Sequence, residues 1–222
     1  MRSAGAVENG GPAGVLETAS LALVAFLVTI DPVGLVPILL ALTPGEAGPG
    51  RRRIALKGTA LGGAILVAAA LFGDRGLEAL GIGIPAFRIA GGITLLLLAV
   101  EMVFQHRGPR RSTTAESMAG ELDPGGVAVF PLAMPLIAGP AAITTVILQI
   151  SRQEGNLTGD LAVLAALLAS LAVTGAVLVA ASYLGRALGP TLVLMLSRLL
   201  GLLLAALSVQ FVIDGVKQAF GL

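Results

Sequence analysis

The residues able to do chemistry in this 222-residue chain sit where apolar stretches are interrupted. Ile30-Asp31-Pro32-Val33-Gly34 falls inside the apolar run 18–42, with Pro37 three residues further on. Ala138-Gly139-Pro140-Ala141-Ala142 falls inside the run 126–150, and Thr144 and Thr145 follow it by about one turn. Proline has no N–H and clashes with the preceding turn, and glycine loosens the backbone. Both sites therefore predict helix breaks, with a second half-helix starting at Pro32 and at Pro140. The free N–H groups at a half-helix start favour an anion such as a carboxylate. Small residues around them (Gly34, Gly139, Ala142) leave room for little bulk. Asp31 has two compatible roles. It caps the second half-helix by accepting from free N–H groups, or it titrates and couples transport to a proton or cation. The plainer alternative is that the prolines only kink their helices and the threonines bond back to their own backbone.

The remaining deep or near-deep polar residues are Arg88, Glu101, Arg198 and Gln210. They are coupling or gating candidates alongside Asp31. Arg88 and Glu101 are about 20 Å apart along a helix, so each needs a partner elsewhere or a path to water. For the arginines the competing reading is snorkelling to the interface, and for Glu101 a place near a helix end. Asp214 reads as interfacial. His106 is a lone loop histidine, and the chain has no cysteine, so neither a metal site nor a cofactor is expected.

The elements that must hold these residues are membrane helices. Hydrophobic residues make up 56% and charged residues 12%, about half the charge a soluble surface carries. A net charge of +1 without a broad basic patch argues against nucleic acid. Six apolar runs, at 18–42, 54–73, 85–104, 126–150, 160–184 and 192–215, approach the ~20 residues of a membrane-crossing helix. Residues 1–17 read as a disordered tail and 105–125 as a cytoplasmic linker between halves 18–104 and 126–222. Eight basic residues (Arg51, Arg52, Arg53, Lys57, Arg107, Arg110, Arg111, Arg186) fall on one side, against four (Arg2, Arg75, Arg152, Lys217) on the other. The first side is expected to be cytoplasmic, with both termini outside. With no Trp and one Tyr, the aromatic belt is thin.

The halves repeat. Arg88-x-x-Gly91 and Arg198-x-x-Gly201 each precede a leucine-rich run that ends on a polar residue, Glu101 or Gln210. Their offset is 110, and the Asp31-Pro32 and Gly139-Pro140 breaks are offset by 108. Three spans per half is an odd number, so the second half enters the membrane from the opposite side. The expected fold is an all-α polytopic membrane protein of two inverted three-helix repeats, with the first and fourth helices broken. Secondary transporters use this plan, with the substrate near the midplane at the broken helices.

The motifs Ile30–Pro37, Phe87-Arg88-Ile89-Ala90-Gly91-Gly92, Phe130–Pro140 and Ser197-Arg198-Leu199-Leu200-Gly201 resemble the MarC family of bacterial and archaeal membrane proteins. The resemblance runs from about Leu21 to Val216. It implies six helices in the cytoplasmic membrane and a carrier of small neutral amino acids such as glycine or alanine, coupled to protons or sodium. The alternative is a channel or small-solute pore of the same fold. An enzyme is not expected, because protease-like aspartate pairs and His-Glu-x-x-His are missing. The expected partners are the substrate, the coupling ion and lipid, and a homo-oligomer is compatible. Gly58-x-x-x-Gly62 is a close-packing face, internal or at a dimer seam.

Overall fold

The computed structural model describes residues 12–44, 46, 48–104, 124–153, 155–184 and 190–221. Residues 1–11 of the expected tail and 105–123 of the expected linker lie outside them, and His106 with them. Among the described residues the secondary structure is entirely helical. The helices are α1 (Pro12–Ile30), α2 (Pro32–Leu42), α3 (Gly48–Ala79), α4 (Ile84–Val103), α5 (Pro140–Ser151), α6 (Leu157–Leu184) and α7 (Pro190–Phe220). Before α5 come a single turn, Pro124–Val127, and an irregularly wound segment, Ala128–Ile137.

Several boundaries differ from the sequence reading, α7 among them, which runs to Phe220 rather than ending at 215. α1 starts at Pro12, so residues 12–17 are helical rather than part of a disordered tail. Proline suits a helix start, where its missing N–H has no acceptor to serve. α3 is longer than the run 54–73, so Arg51, Arg52 and Arg53 ride on its first turns instead of lying in a loop. Among the described residues, five stretches are long and apolar enough to cross a bilayer: Gly14–Leu42, Gly48–Ala79, Ile84–Val103, Leu157–Tyr183 and Met195–Phe220. Ala128–Ile137 and Pro140–Ser151 make a sixth if they act as one span bent by 54°.

Glycine sets how closely the helices approach. α4 and α7 pack antiparallel along their lengths. A Cβ on Gly92 would lie 2.7 Å from the Ser208 carbonyl oxygen, and one on Gly201 would lie 2.8 Å from Met102 Cβ. Gly58 and Gly62 press α3 against the wound segment, where Cβ atoms would lie 2.5 Å from Leu132 and 2.7 Å from Ile137. That face is internal. α3 also lies on α5 and α6, and α1 lies on α5 and α6. The larger core cluster centres on Phe26, Leu39, Leu66, Ile137 and Leu167, and the smaller on Leu95, Leu204 and Phe211. Polar side chains such as Thr29, Asp31, Ser170 and Thr174 are buried, while Phe72, Leu168, Leu199 and Leu202 face outward. A bilayer solvates that outward face.

Candidate functional site

The first break is one residue wide. Asp31 adopts the left-handed conformation, φ 54° and ψ 65°, which Asp and Asn tolerate better than other side-chain-bearing residues. Its N–H donates to the Leu27 carbonyl at 3.1 Å, and its own carbonyl accepts from Leu35 N–H at 3.1 Å, so the backbone ladder resumes on both sides. Its carboxylate Oδ1 accepts from Gly34 N–H at 3.0 Å. That is an N-cap on α2, and Pro32 occupies the first helical position. A Cβ on Gly34 would collide with Asp31 Oδ2, so any larger residue there must displace the capping carboxylate. Asp31 and Pro32 are both buried.

The second break is wider and has no such cap. The backbone is extended at Phe130 and Met134, ahead of Pro131 and Pro135, as residues preceding proline prefer. Gly139 follows at φ −79° and ψ 168° and starts α5 with no side-chain cap, ahead of Pro140. A Cβ on Gly139 would lie 2.5 Å from the Pro135 carbonyl oxygen, so backbone passes backbone there. The first α5 bond runs from Ile143 N–H to the Gly139 carbonyl at 3.0 Å. The N–H groups of Ala141 and Ala142 precede it and have no acceptor within the helix.

A cavity of about 190 Å³ sits against this helix start. Gly139, Pro140 and Ala142 line it, together with Thr29 of α1 and Thr94 and Glu101 of α4. Thr29 donates to the Ala25 carbonyl at 2.9 Å, and Thr94 donates to the Ala90 carbonyl at 2.9 Å. Each hydroxyl proton is therefore committed and the oxygen lone pairs are left to accept. The cavity thus offers free N–H groups on one side and a carboxylate with two acceptor hydroxyls on the other.

The structure does not gather all the expected residues here. Asp31, Pro32 and Gly34 build the α2 cap and do not line the cavity. Thr144 packs against Gly91 of α4. Thr145 is fully buried, and its hydroxyl has no hydrogen-bond partner. Arg88 is buried and reaches Ser151 Oγ at 3.5 Å, whereas Arg198, of the matching Arg-x-x-Gly motif, is exposed. Gln210 is exposed and donates to Asp214 Oδ1 at 2.7 Å. Asp214 also pairs with Arg152, whose guanidinium lies 4.7 Å over the Phe211 ring. Gln210 therefore belongs to a clamp between Arg152 and the end of α7.

Sequence reasoning missed Thr29 and Thr94. The signal for Thr94 was present, since Thr94, Leu97, Leu98 and Glu101 follow i, i+3, i+4, i+7 and all line the cavity. It also missed a second cleft of about 480 Å³, lined by Asp74, Glu78, Ser151 and Asp160. Asp74 Oδ1 and Asp160 Oδ1 are buried there without a hydrogen-bond partner.

Residues 16–220 match the family described as MarC family integral membrane protein. The chain belongs to the MarC family. A UPF0056 membrane protein of Aquifex aeolicus is 34% identical over 197 residues, 89% of this chain and 91% of its own length. UPF0056 membrane protein MJ1677 of Methanocaldococcus jannaschii is 35% identical over 201 residues, covering 90% of this chain and 96% of its own. UPF0056 membrane protein YhcE of Escherichia coli is 31% identical over 197 residues, with 89% and 91% covered. No solved structure matches the chain. In this MarC protein both helix breaks lie within the matched region, so it is an integral, multi-pass membrane protein with two interrupted helices.

Proposed function

We propose that this MarC protein is a secondary transporter of small neutral amino acids, of the size of glycine and alanine, working by alternating access in the cytoplasmic membrane. The observation that carries this is the placement of α5. Gly139, Pro140 and Ala142 at its start line the small cavity, and Ile150 and Ser151 at its end line the acidic cleft. About 16 Å of helix separates the two. Buried Thr144, Thr145 and Gln149 close the interval. Two openings joined by one helix and separated by packed side chains are what an occluded carrier needs.

The substrate class follows from charge and size. The free N–H groups of Ala141 and Ala142 suit a carboxylate. Glu101 with the Thr29 and Thr94 oxygens suits an ammonium. A zwitterion presents both groups. About 190 Å³ lies below the ~300–1,000 Å³ typical of drug-sized pockets, which favours a small side chain. On this reading Glu101 is the group that faces the ammonium.

The helix pairings support inverted repeats. The first span packs on the fifth and the second on the fourth, and exchanging the halves converts one pairing into the other. The third packs on the sixth and the second on the fifth, pairs that such an exchange maps onto themselves. α1 on α7 and α4 on α5 are likewise exchanged. On this reading six crossings place both termini outside, and the coupling ion is a proton or sodium.

The test is uptake of labelled glycine and alanine into proteoliposomes under imposed proton and sodium gradients. Saturable, gradient-dependent flux with leucine excluded is expected. Absence of saturable flux under every gradient removes the transporter reading, and equal uptake of leucine removes the size argument.

A further inference from the structure

A groove of about 700 Å³ runs between α3 and α6, away from both openings just described. Its walls are mostly apolar, and six of the thirteen lining residues are Ala or Gly: Ala60, Gly63 and Ala64 of α3, and Ala172, Gly175 and Ala176 of α6. Its one polar wall residue besides Arg52, Thr59, donates to the Ala55 carbonyl at 2.8 Å, so its O–H needs no further acceptor. Arg52 stands at one end of the groove. Arg53 and Lys57, both exposed, stand beside it on the same turns of α3. Arg51 is engaged elsewhere, donating to Thr43 Oγ1 at 2.8 Å and to the Thr43 carbonyl at 2.9 Å.

A groove on the lipid-facing side of a membrane protein is filled by lipid or by another protein surface. Two features decide for lipid. From Leu56 to Val67 the groove follows about 16 Å of α3. That is close to one leaflet's share of the ~30 Å hydrocarbon core. The cationic end therefore lies where a headgroup phosphate sits when an acyl chain fills the groove. A second copy fits worse. A two-fold interface normal to the membrane would bring two Arg52–Arg53–Lys57 clusters to the same depth, and like charges there repel.

We propose that the α3–α6 groove seats an acyl chain of an anionic phospholipid, with its headgroup phosphate held by Arg52. A guanidinium matches a phosphate with two parallel N–H donors. Arg53 and Lys57 add the field that favours a lipid with net negative charge over a zwitterionic one. The Ala and Gly residues give the chain its depth, and a leucine at Ala64 or Ala172 would fill it.

The experiment uses the full chain in detergent with equal amounts of phosphatidylglycerol and phosphatidylcholine, and native mass spectrometry counts the lipids retained. Wild type is expected to keep one phosphatidylglycerol in preference to phosphatidylcholine. Arg52→Gln is expected to reduce that preference about fivefold, as the loss of one cation near the phosphate implies. Ala64→Leu with Ala172→Leu is expected to abolish retention of both lipids. Arg52 is exposed, so Arg52→Gln alone decides the matter where the filled-groove pair does not fold. An unchanged lipid preference in Arg52→Gln overturns the proposal. Disulfide-linked dimers of Ala64→Cys at high yield, which would put a second copy in the groove, also overturn it.

Discussion

At the scale of single residues, charge and helix-end geometry divide the two breaks into different jobs. Asp31 is spent on its own helix, since its Oδ1 accepts from Gly34 N–H and its φ is 54°. Asp31→Asn keeps both the acceptor and the tolerance for that backbone, so uptake and thermal stability in detergent should stay near wild type. Asp31→Ala loses the cap and retains the left-handed strain, each costing about 1–2 kcal/mol. Its melting temperature should fall clearly below that of the Asn variant. Equal melting temperatures for the two variants would deny the cap, and altered pH dependence of uptake in Asp31→Asn would give Asp31 the coupling role. Glu101 is the opposite case. It lines the cavity, and in the proposed function it faces the substrate's ammonium. Hydrogen bonds to charged groups contribute about 1.5–3 kcal/mol, so Glu101→Gln should cut glycine uptake roughly 10–100-fold with stability unchanged. Glu101→Asp, which preserves charge, should retain part of the activity. The sequence made Asp31 conspicuous because a carboxylate beside a proline interrupts an apolar run. Glu101 does sit in the last turn of α4, as the sequence reading placed it, but nothing in one strand of letters says that the α5 start lines the same cavity.

At the scale of elements, glycine placement decides which helices can touch. The Gly92 Cβ position lies 2.7 Å from a carbonyl oxygen of α7, and a backbone atom cannot swing aside as a flexible side chain can. Gly92→Ala should force α4 and α7 apart and cost about 1–3 kcal/mol. At Gly175 the nearest atom is Thr59 Cγ2 at 3.6 Å, ordinary contact distance. Gly175→Ala should therefore leave stability equal or raised by up to about 1 kcal/mol from helix propensity. Thermal unfolding of both variants in one detergent checks the pair, and a Gly92→Ala protein as stable as Gly175→Ala would contradict the packing. Both glycines sit in leucine- and alanine-rich runs that read alike. Hydropathy made the spans legible, since it measures burial in lipid. Which glycine meets backbone depends on crossing geometry that one helix does not encode. The wound course of Ala128–Ile137 was legible only as a proline-rich break, because proline forbids the regular helix without saying what replaces it.

At the scale of the whole molecule, the proposed repeat has consequences that its residues do not show one at a time. Matched motifs need not keep matched environments: Arg88 is buried and Arg198 exposed, and Asp31 caps where Gly139 leaves N–H groups open. Divergence of this kind is expected once one half carries the site and the other supports it. Inverted halves require opposed directions. α4 and α7, the third spans of the proposed halves, run antiparallel, and α3 and α6, the second spans, do so as well. With six crossings, the basic start of α3 and the C-terminus lie on opposite sides of the membrane. The positive-inside rule applied to Arg51, Arg52 and Arg53 predicts that the start of α3 is cytoplasmic. Alkaline phosphatase fused after Leu222 should therefore be active, and a fusion after Arg53 inactive. Cysteine labelling by an impermeant reagent in intact cells adds an independent reading: Gly155→Cys, between α5 and α6, should react, and Arg53→Cys should not. Five crossings would instead put the C-terminus on the cytoplasmic side. An inactive fusion at Leu222 alongside an unreactive Arg53→Cys would mean that Ala128–Ile137 and α5 enter and leave by the same face, and the two halves would then not be inverted copies.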